Sequence, residues 1–340
     1  MVEFVQNKRR ADIALLLGVC VLSLLLCADS SAAEWSAIAE AKTIFTDNVF
    51  ELSASRRLTF SEDPSQPVRV SVGQPSDVVW QPSIDVRRTS TSALGTTQLS
   101  FKGDRFIYTN NPIFNHGDYR FQVEQQVAAK TSVQFRYRYV PDLFLGPNFE
   151  RQSGNRLIQE ERVTEHAWRM QLEQKLDDRW TATLMGRFGL RLYNEAFSER
   201  DTEFYSVGPS VRFQAFSWMA LTLGYIYERG LADGRNEPQF MDDVSYRQHF
   251  FSFGTLFTLM ERFSLELIYA YRFKQFTSVI VGDVFNGTTD QLHQGTAQVH
   301  YTLSPAARLT VGFQRTQRSS SLEARSFFNT NASLGFQYQF

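Results

Sequence analysis

Past residue 33 the 340-residue chain has no cysteine, because Cys20 and Cys27 both lie earlier. That removes disulfides, thiolate metal sites and cysteine nucleophiles from the rest of the chain. Beyond the same point there is no uninterrupted apolar run of about 18 residues, so no helix is expected to cross a membrane. An excess of either charge is missing too. The chain has 35 basic and 36 acidic residues, a formal net charge of −1, and no global basicity points to nucleic acid. What is plentiful is aromatic: 30 Phe and 13 Tyr raise the aromatic share to 14%.

The first 33 residues read as a secretory signal peptide. Lys8, Arg9 and Arg10 make its positive end, and Ile13 to Cys27 its apolar centre. Ser31, Ala32 and Ala33 supply the small residues needed before cleavage, so Glu34 is the expected first mature residue. A lipid anchor is disfavoured. Cys27 follows Leu26 and Cys20 follows Val19, where a lipobox needs a small residue.

The last thirteen residues, Phe328 to Phe340, alternate strictly. Phe328, Thr330, Ala332, Leu334, Phe336, Tyr338 and Phe340 share one parity, and Asn329, Asn331, Ser333, Gly335, Gln337 and Gln339 the other. Successive strand side chains point to opposite faces, so this strand is greasy on one side and wet on the other. In water such an aromatic strand would be an aggregation-prone edge. The ending resembles the terminal strand of bacterial outer-membrane β-barrels. That resemblance implies the outer membrane as location, and the lipid bilayer and the barrel-assembly machinery as partners. Phe336, Tyr338 and Phe340 are the implied assembly signal.

Alternating segments recur from Trp35 onward. Strands are expected near 35–46, 78–90, 97–110, 116–127, 132–146, 165–176, 180–194, 202–216, 219–230, 246–260, 263–276, 291–304, 308–320 and 328–340. Their connections alternate in length. Short ones fall at 91–96, 128–131, 177–179, 217–218, 261–262 and 305–307, and the other set includes 47–77, 147–164, 231–245 and 277–290. Short periplasmic turns and long outer loops are the rhythm of an outer-membrane barrel. The expected fold is therefore all-β: a closed antiparallel transmembrane up-and-down barrel over residues 34–340, of about 14 strands and within 12–16. Segments inside 47–77 would add a further hairpin if they pair. In the third strand Leu99 and Phe101 share one parity and Phe106 and Tyr108 the other, which suggests a bulge near Gly103. Trp180, Phe216, Trp218 and Phe263 sit beside short turns, and Tyr139, Phe144, Tyr193, Tyr225, Tyr227 and Tyr271 lie toward the long loops, so two lipid-facing aromatic belts are expected.

The opposite parity should line the lumen. It carries Arg87, Lys102, Arg120, Arg136, Arg138, Arg187, Arg191, Arg212, Arg272 and Lys274, against fewer acids: Asp85, Asp104, Glu124, Glu173, Glu228 and Glu266. Charged rings tune pore selectivity, and the planar Arg fork suits carboxylates and phosphates. Arg136, Arg138, Arg187, Arg191, Arg212 and Arg272 are the candidate filter for polar or anionic solutes or a polysaccharide. The alternative is that these charges pair across strands and stiffen the interior.

No catalytic constellation emerges, and no metal site or cofactor is expected. Outer-membrane phospholipases carry a His-x-Ser pair on one strand. Here Asp118, Trp168, Phe251, Gly295 and Thr302 stand two residues after His116, His166, His249, His293 and His300. His293 and His300 fall on opposite parities. A G-x-x-x-x-G-K-[ST] nucleotide loop is absent. Asp242-Asp243 and Glu150, Glu160 and Glu161 read as solvated loop charge.

Within the barrels, Thr46-Asp47-Asn48-Val49-Phe50 resembles the opening of β-barrel porins found with exopolysaccharide gene clusters, and Trp80 to Val86 would suit their second strand. That resemblance implies passage or secretion of polysaccharide. A general diffusion porin is the second expectation. A structural or adhesive surface barrel, binding through loops 147–164 and 231–245, is the third.

Overall fold

An alternating strand can stand between lipid and water, with each kind of side chain on its own side. Two consecutive strands joined by a tight turn pair antiparallel. Repeated along the chain, these two rules build a meander. The computed structural model describes residues 33–49, 75–93, 95–322 and 326–340. The expected signal peptide and the extra hairpin within 47–77 fall almost wholly outside them.

The strands are β1 (Ala33–Thr46), β2 (Asp77–Ser92), β3 (Gly95–Tyr108), β4 (His116–Ala128), β5 (Thr131–Phe149), β6 (Ile158–Lys175) and β7 (Trp180–Tyr193). They continue as β8 (Thr202–Phe216), β9 (Met219–Ala232), β10 (Tyr246–Met260), β11 (Phe263–Phe276), β12 (Thr289–Ser304), β13 (Ala307–Ser320) and β14 (Phe327–Gln339). Each pairs with its sequence neighbours, and β1 pairs with β14, so the sheet is a closed barrel. At the seam Ile38 opposes Gln339 and Thr46 opposes Asn331. The Phe340 N–H donates to the Ala37 carbonyl at 2.8 Å. A barrel of this strand number, at ~4.8 Å spacing and ~40° tilt, is about 28 Å across its backbone.

The outer face is apolar. Trp80, Ile84, Leu184, Leu223, Val311 and Leu334 are all at least half exposed or nearly so, as are many neighbours. So continuous an apolar surface is stable only against lipid. At the short-turn end Trp180 stacks on Phe213 at 4.3 Å, Phe216 on Trp218 at 5.2 Å and Phe263 on Tyr301 at 4.6 Å. Nearer the loops, the Tyr137, Tyr225 and Tyr269 hydroxyls meet Nδ1 of His166, His249 and His293 at 2.8, 2.8 and 2.7 Å. Three of the five histidines thus belong to the lipid-facing belt. His300 faces inward, its Nδ1 2.9 Å from the Thr310 hydroxyl.

Three details differ from the sequence expectation. There is no bulge at Gly103, since β3 holds one register against both β2 and β4. The phase slips because Phe106 and Tyr108 point inward and pack with Ile44, Val49, Val79, Phe114 and Phe144. At the loop end, then, the inside is apolar too. Phe144 and Tyr193 also leave the expected outer belt. Tyr193 shares the parity of the inward Arg187 and Arg191 on β7, and Phe144 that of Arg136 and Arg138 on β5, next to two irregularities in the β5–β6 pairing. Phe144 joins that inner cluster, and Tyr193 lines an inner cavity. Finally, most of 147–164 is strand rather than loop: β5 and β6 stay paired out to Phe149 opposite Ile158.

Adjacent residues on one strand test the two faces. Val299 is 44% exposed on the outside, and Gln298 opposes Glu266 inside. Val299→Arg should cost about 2–4 kcal/mol of unfolding free energy in lipid vesicles. Gln298→Lys should stay within about 0.5 kcal/mol. Equal effects would mean that the faces are misassigned.

Candidate functional site

The six candidate arginines all point into the barrel, at two levels. Arg138, Arg187, Arg191 and Arg272 are buried on the loop side. Arg136 is half-buried and Arg212 exposed, in the half nearer the short turns.

The buried group forms an ionic chain around one wall. Arg138 on β5 donates to Asp118 on β4 at 2.8 Å and to Glu165 on β6 at 2.7 Å. Glu165 accepts in turn from Arg191 on β7 at 3.2 Å. Glu228 on β9, fully buried, takes bonds from Arg187, the Ser206 hydroxyl at 2.8 Å and the Tyr246 hydroxyl at 2.5 Å. Arg191 lies 3.8 Å from Glu228 and donates to the Tyr246 hydroxyl at 2.6 Å. Across the barrel Arg318 pairs with Asp290, both buried. Burying an ion costs several kcal/mol, offset here by multiple partners.

Two glycines make room for this packing. A Cβ on Gly189 would come within 2.1 Å of the Phe204 ring, and one on Gly230 within 2.3 Å of Tyr246. Their absence lets Phe204 and Tyr246 lie across neighbouring strands, and Arg191 rests 4.2 Å from the Phe204 ring centre. On the same wall Met185, Ile226, Phe250, Ala270 and Leu292 form an inward apolar patch. Arg272 stands between Phe250 and Leu292 in register.

On the loop side three connections are tied to one another. Gln152, at the tip of the β5–β6 hairpin, donates to the Ser198 hydroxyl at 3.1 Å and to Glu199 at 2.8 Å, on the 3-10 turn Glu195–Arg200. Buried Arg200 then ties Glu161 at 2.8 Å to Asp242 at 2.6 Å. Three connections are thereby latched together. Burial opposes the Arg200 charge, but its two carboxylates more than compensate and raise its pKa well above the usual arginine value. Glu199 moves the other way for an acid. Burial pushes it up to about 7, the Gln152 hydrogen bond opposes this, and Asp242 adds to it.

Toward the short turns the interior is polar and open. Gln98, Ser100, Gln122, Gln134, Ser210 and Thr222 are only partly buried. A recess of about 220 Å³ opens here, lined by Asp85, Arg87, Gln98, Ser100, Lys102, Arg120, Gln122 and Arg136. Its lining carries four cations and one carboxylate. Arg87 pairs with Asp85 at 2.6 Å, and Arg120 with Asp118 at 3.0 Å. Arg136 donates to Gln122 at 3.0 Å.

Sequence reasoning missed Asp118, Glu165, Asp290, Arg169 and Arg318 as lumen charges. Parity alone would have found them: Asp118 stands two before Arg120, and Glu165 and Arg169 share the inward row of β6. The latch partners Glu161 and Asp242 read as solvated loop charge, yet both are buried.

No protein-family model and no curated protein sequence matches the chain. Among solved structures it is similar to the outer membrane channel DcaP of Acinetobacter baumannii. Identity is 9% over 91% of this chain and 97% of that one, with a TM-score of 0.52. An anion-selective porin from Comamonas acidovorans covers 91% of this chain and 99% of its own at 8% identity, TM-score 0.48. A bacterial polysaccharide outer membrane secretin covers 89% and 98% at 7% identity, TM-score 0.47. Likeness at this identity is likeness of fold. The chain has the fold of the outer-membrane β-barrels. In that fold the short turns face the periplasm and the long loops the exterior.

Glu228→Gln should destabilise the barrel by about 3–5 kcal/mol, because it leaves buried guanidinium charge uncompensated. Denaturant titration in lipid vesicles reads this directly, and a neutral result would mean that the chain of ion pairs is not load-carrying. The latch has its own signature. An acid whose pKa is raised in the folded state resists ionisation there, so folding of the latch is favoured at low pH and weakens as pH rises from the ordinary glutamate value to about 7. Hydrogen exchange at 195–200, corrected for its intrinsic pH dependence, should be slower at the acid end of that window. Glu199→Gln should flatten the profile.

Proposed function

We propose that this barrel is a passive channel for small polar solutes, with a preference for anions. The observation that carries this reading is the basic recess of Arg87, Lys102, Arg120 and Arg136 in the open periplasmic half of the lumen. Fixed charge on a narrow wall raises the local concentration of counter-ions and sets the sign of the permeating ion. Arg212, exposed on the inner face of β8, adds to the same field. Arg87, Lys102 and Arg120 have carboxylate partners but stay partly exposed to the lumen. Arg138, Arg187 and Arg191 are paired and buried and contribute less. Their role in this reading is to hold the wall rigid.

In this reading the latch, which ties three loop-side connections together, narrows the outer entrance, and removing residues 150–157 is expected to raise conductance.

The polysaccharide reading rests on the stretch from Thr46 to Phe50. Its described residues have a structural task. The Asn329 side-chain amide donates to the Thr46 hydroxyl at 3.1 Å, to Asp47 at 3.0 Å and to the Asn48 carbonyl at 3.2 Å. Asp47 also accepts the Thr330 N–H at 2.8 Å. These bonds clasp β1 to β14 at the outer rim. An anionic polysaccharide remains within the solute class that the recess suits.

In planar bilayers under a salt gradient, the reversal potential should indicate anion preference, and Lys102→Gln with Arg136→Gln should reduce it toward zero. Preference for cations in the unaltered protein would overturn the proposal.

A further inference from the structure

Above the ionic chain, and under the latch, lies a second cavity of about 180 Å³. It is separate from the periplasmic recess and shares no lining residue with it. Its two sides differ in chemistry. One is apolar and aromatic: Phe276, Phe285 and Val284 with the ring of Tyr246. The other is basic, with Arg151, Arg191, Arg200 and Lys274 against Glu161 and Asp242.

Most of that charge is already matched. Arg200 is held between Glu161 and Asp242, and Arg191 by Glu165, Glu228 and Tyr246. Arg151 is different. Among the described residues no carboxylate lies within ion-pair distance of it, and its Nε is buried without a hydrogen-bond partner. A buried donor left unsatisfied costs roughly 1–3 kcal/mol, more when charged. Lys274 reaches the same cavity with its Nζ 3.5 Å from the centre of the Tyr246 ring and 5.1 Å from that of Phe276. At Arg151 the cavity therefore lacks an anion, while Phe276 and Phe285 offer it ring faces.

We propose that this cavity is a binding site for a compact organic monocarboxylate with an apolar or aromatic body. The carboxylate is received by Arg151, and the body packs against the rings of Phe276 and Phe285 where they line the cavity. Size supports one ring and excludes a chain of sugars: an apolar cavity of about 150 Å³ takes a benzene ring. The latch participates in recognition, because Arg151 is next to Gln152, the residue that clamps the hairpin tip to Ser198 and Glu199. A bound carboxylate would hold Arg151 in place and so favour the latched state, as any ligand favours the state it binds.

The test is calorimetric titration of the full-length protein in detergent with benzoate, benzyl alcohol and acetate. Benzoate should bind, and the other two should bind at least about tenfold more weakly, since each lacks one half of the match. Arg151→Gln should weaken benzoate by a similar factor, and Phe285→Ala should do so while leaving acetate unchanged. Arg151 lies in the hairpin tip, outside the barrel wall, and retained heat-modifiable migration in gels checks that each variant is folded. Arg136→Gln, in the periplasmic recess, should alter ion selectivity and leave benzoate binding untouched, so the two proposals fail separately. Absence of benzoate binding, equal binding of benzyl alcohol, or indifference to Arg151→Gln would each overturn the assignment.

Discussion

Backbone amides in hydrocarbon have no water to turn to, so every one must find a partner within the protein. For a chain of strands the only solution is closure. Here closure is the pairing of β1 with β14, reinforced at the rim by Asn329 with Thr46, Asp47 and Asn48. The remaining features follow from that ring. Once it is closed, each strand has an inside and an outside, and side-chain parity becomes a statement about lipid and lumen. Strand number sets the diameter, and the diameter leaves an interior wide enough to hold both ion pairs and loops.

That interior is not one environment. Near the short turns it is polar and open, and its hydrogen-bonded side chains stay partly exposed. Toward the loops it is packed as a protein core is packed, with apolar clusters beside guanidinium–carboxylate chains. The two coexist because an ion pair tolerates burial only when each partner has several bonds. Glu228 illustrates this, with Arg187, Arg191, Ser206 and Tyr246 around it. The loop end is thereby rigid below and latched above, while the periplasmic half stays accessible to solute. Selectivity and latching are assigned to different levels of one tube.

The architecture was legible because period-two alternation is a local signal. Residues 328–340 declare their two faces without reference to anything else, and the order of short and long connections supplies the topology. The candidate site was legible only in part. Parity placed Arg138, Arg187 and Arg191 inside correctly. It did not show that Asp118, Glu165 and Glu228 would meet them, because those contacts are diagonal across strands and depend on register. Phe106, Tyr108 and Phe144 misled the reading for a related reason. At the loop end both faces of a strand are apolar and alternation no longer distinguishes them.

By itself, then, the sequence determined that this chain forms an antiparallel barrel of about fourteen strands, which residues face lipid away from the loop end, and that the inward row is rich in arginine. These are consequences of the two-residue repeat and of turn length, both local. Only the tertiary structure decided which arginines are neutralised and which face open solvent, that Glu161 and Asp242 are latch partners rather than loop charge, and that Arg151 enters a cavity beside Lys274, Phe276 and Phe285. Those outcomes depend on charges and rings brought together from strands and loops far apart in the chain, at distances that register and loop packing set and local pattern does not encode.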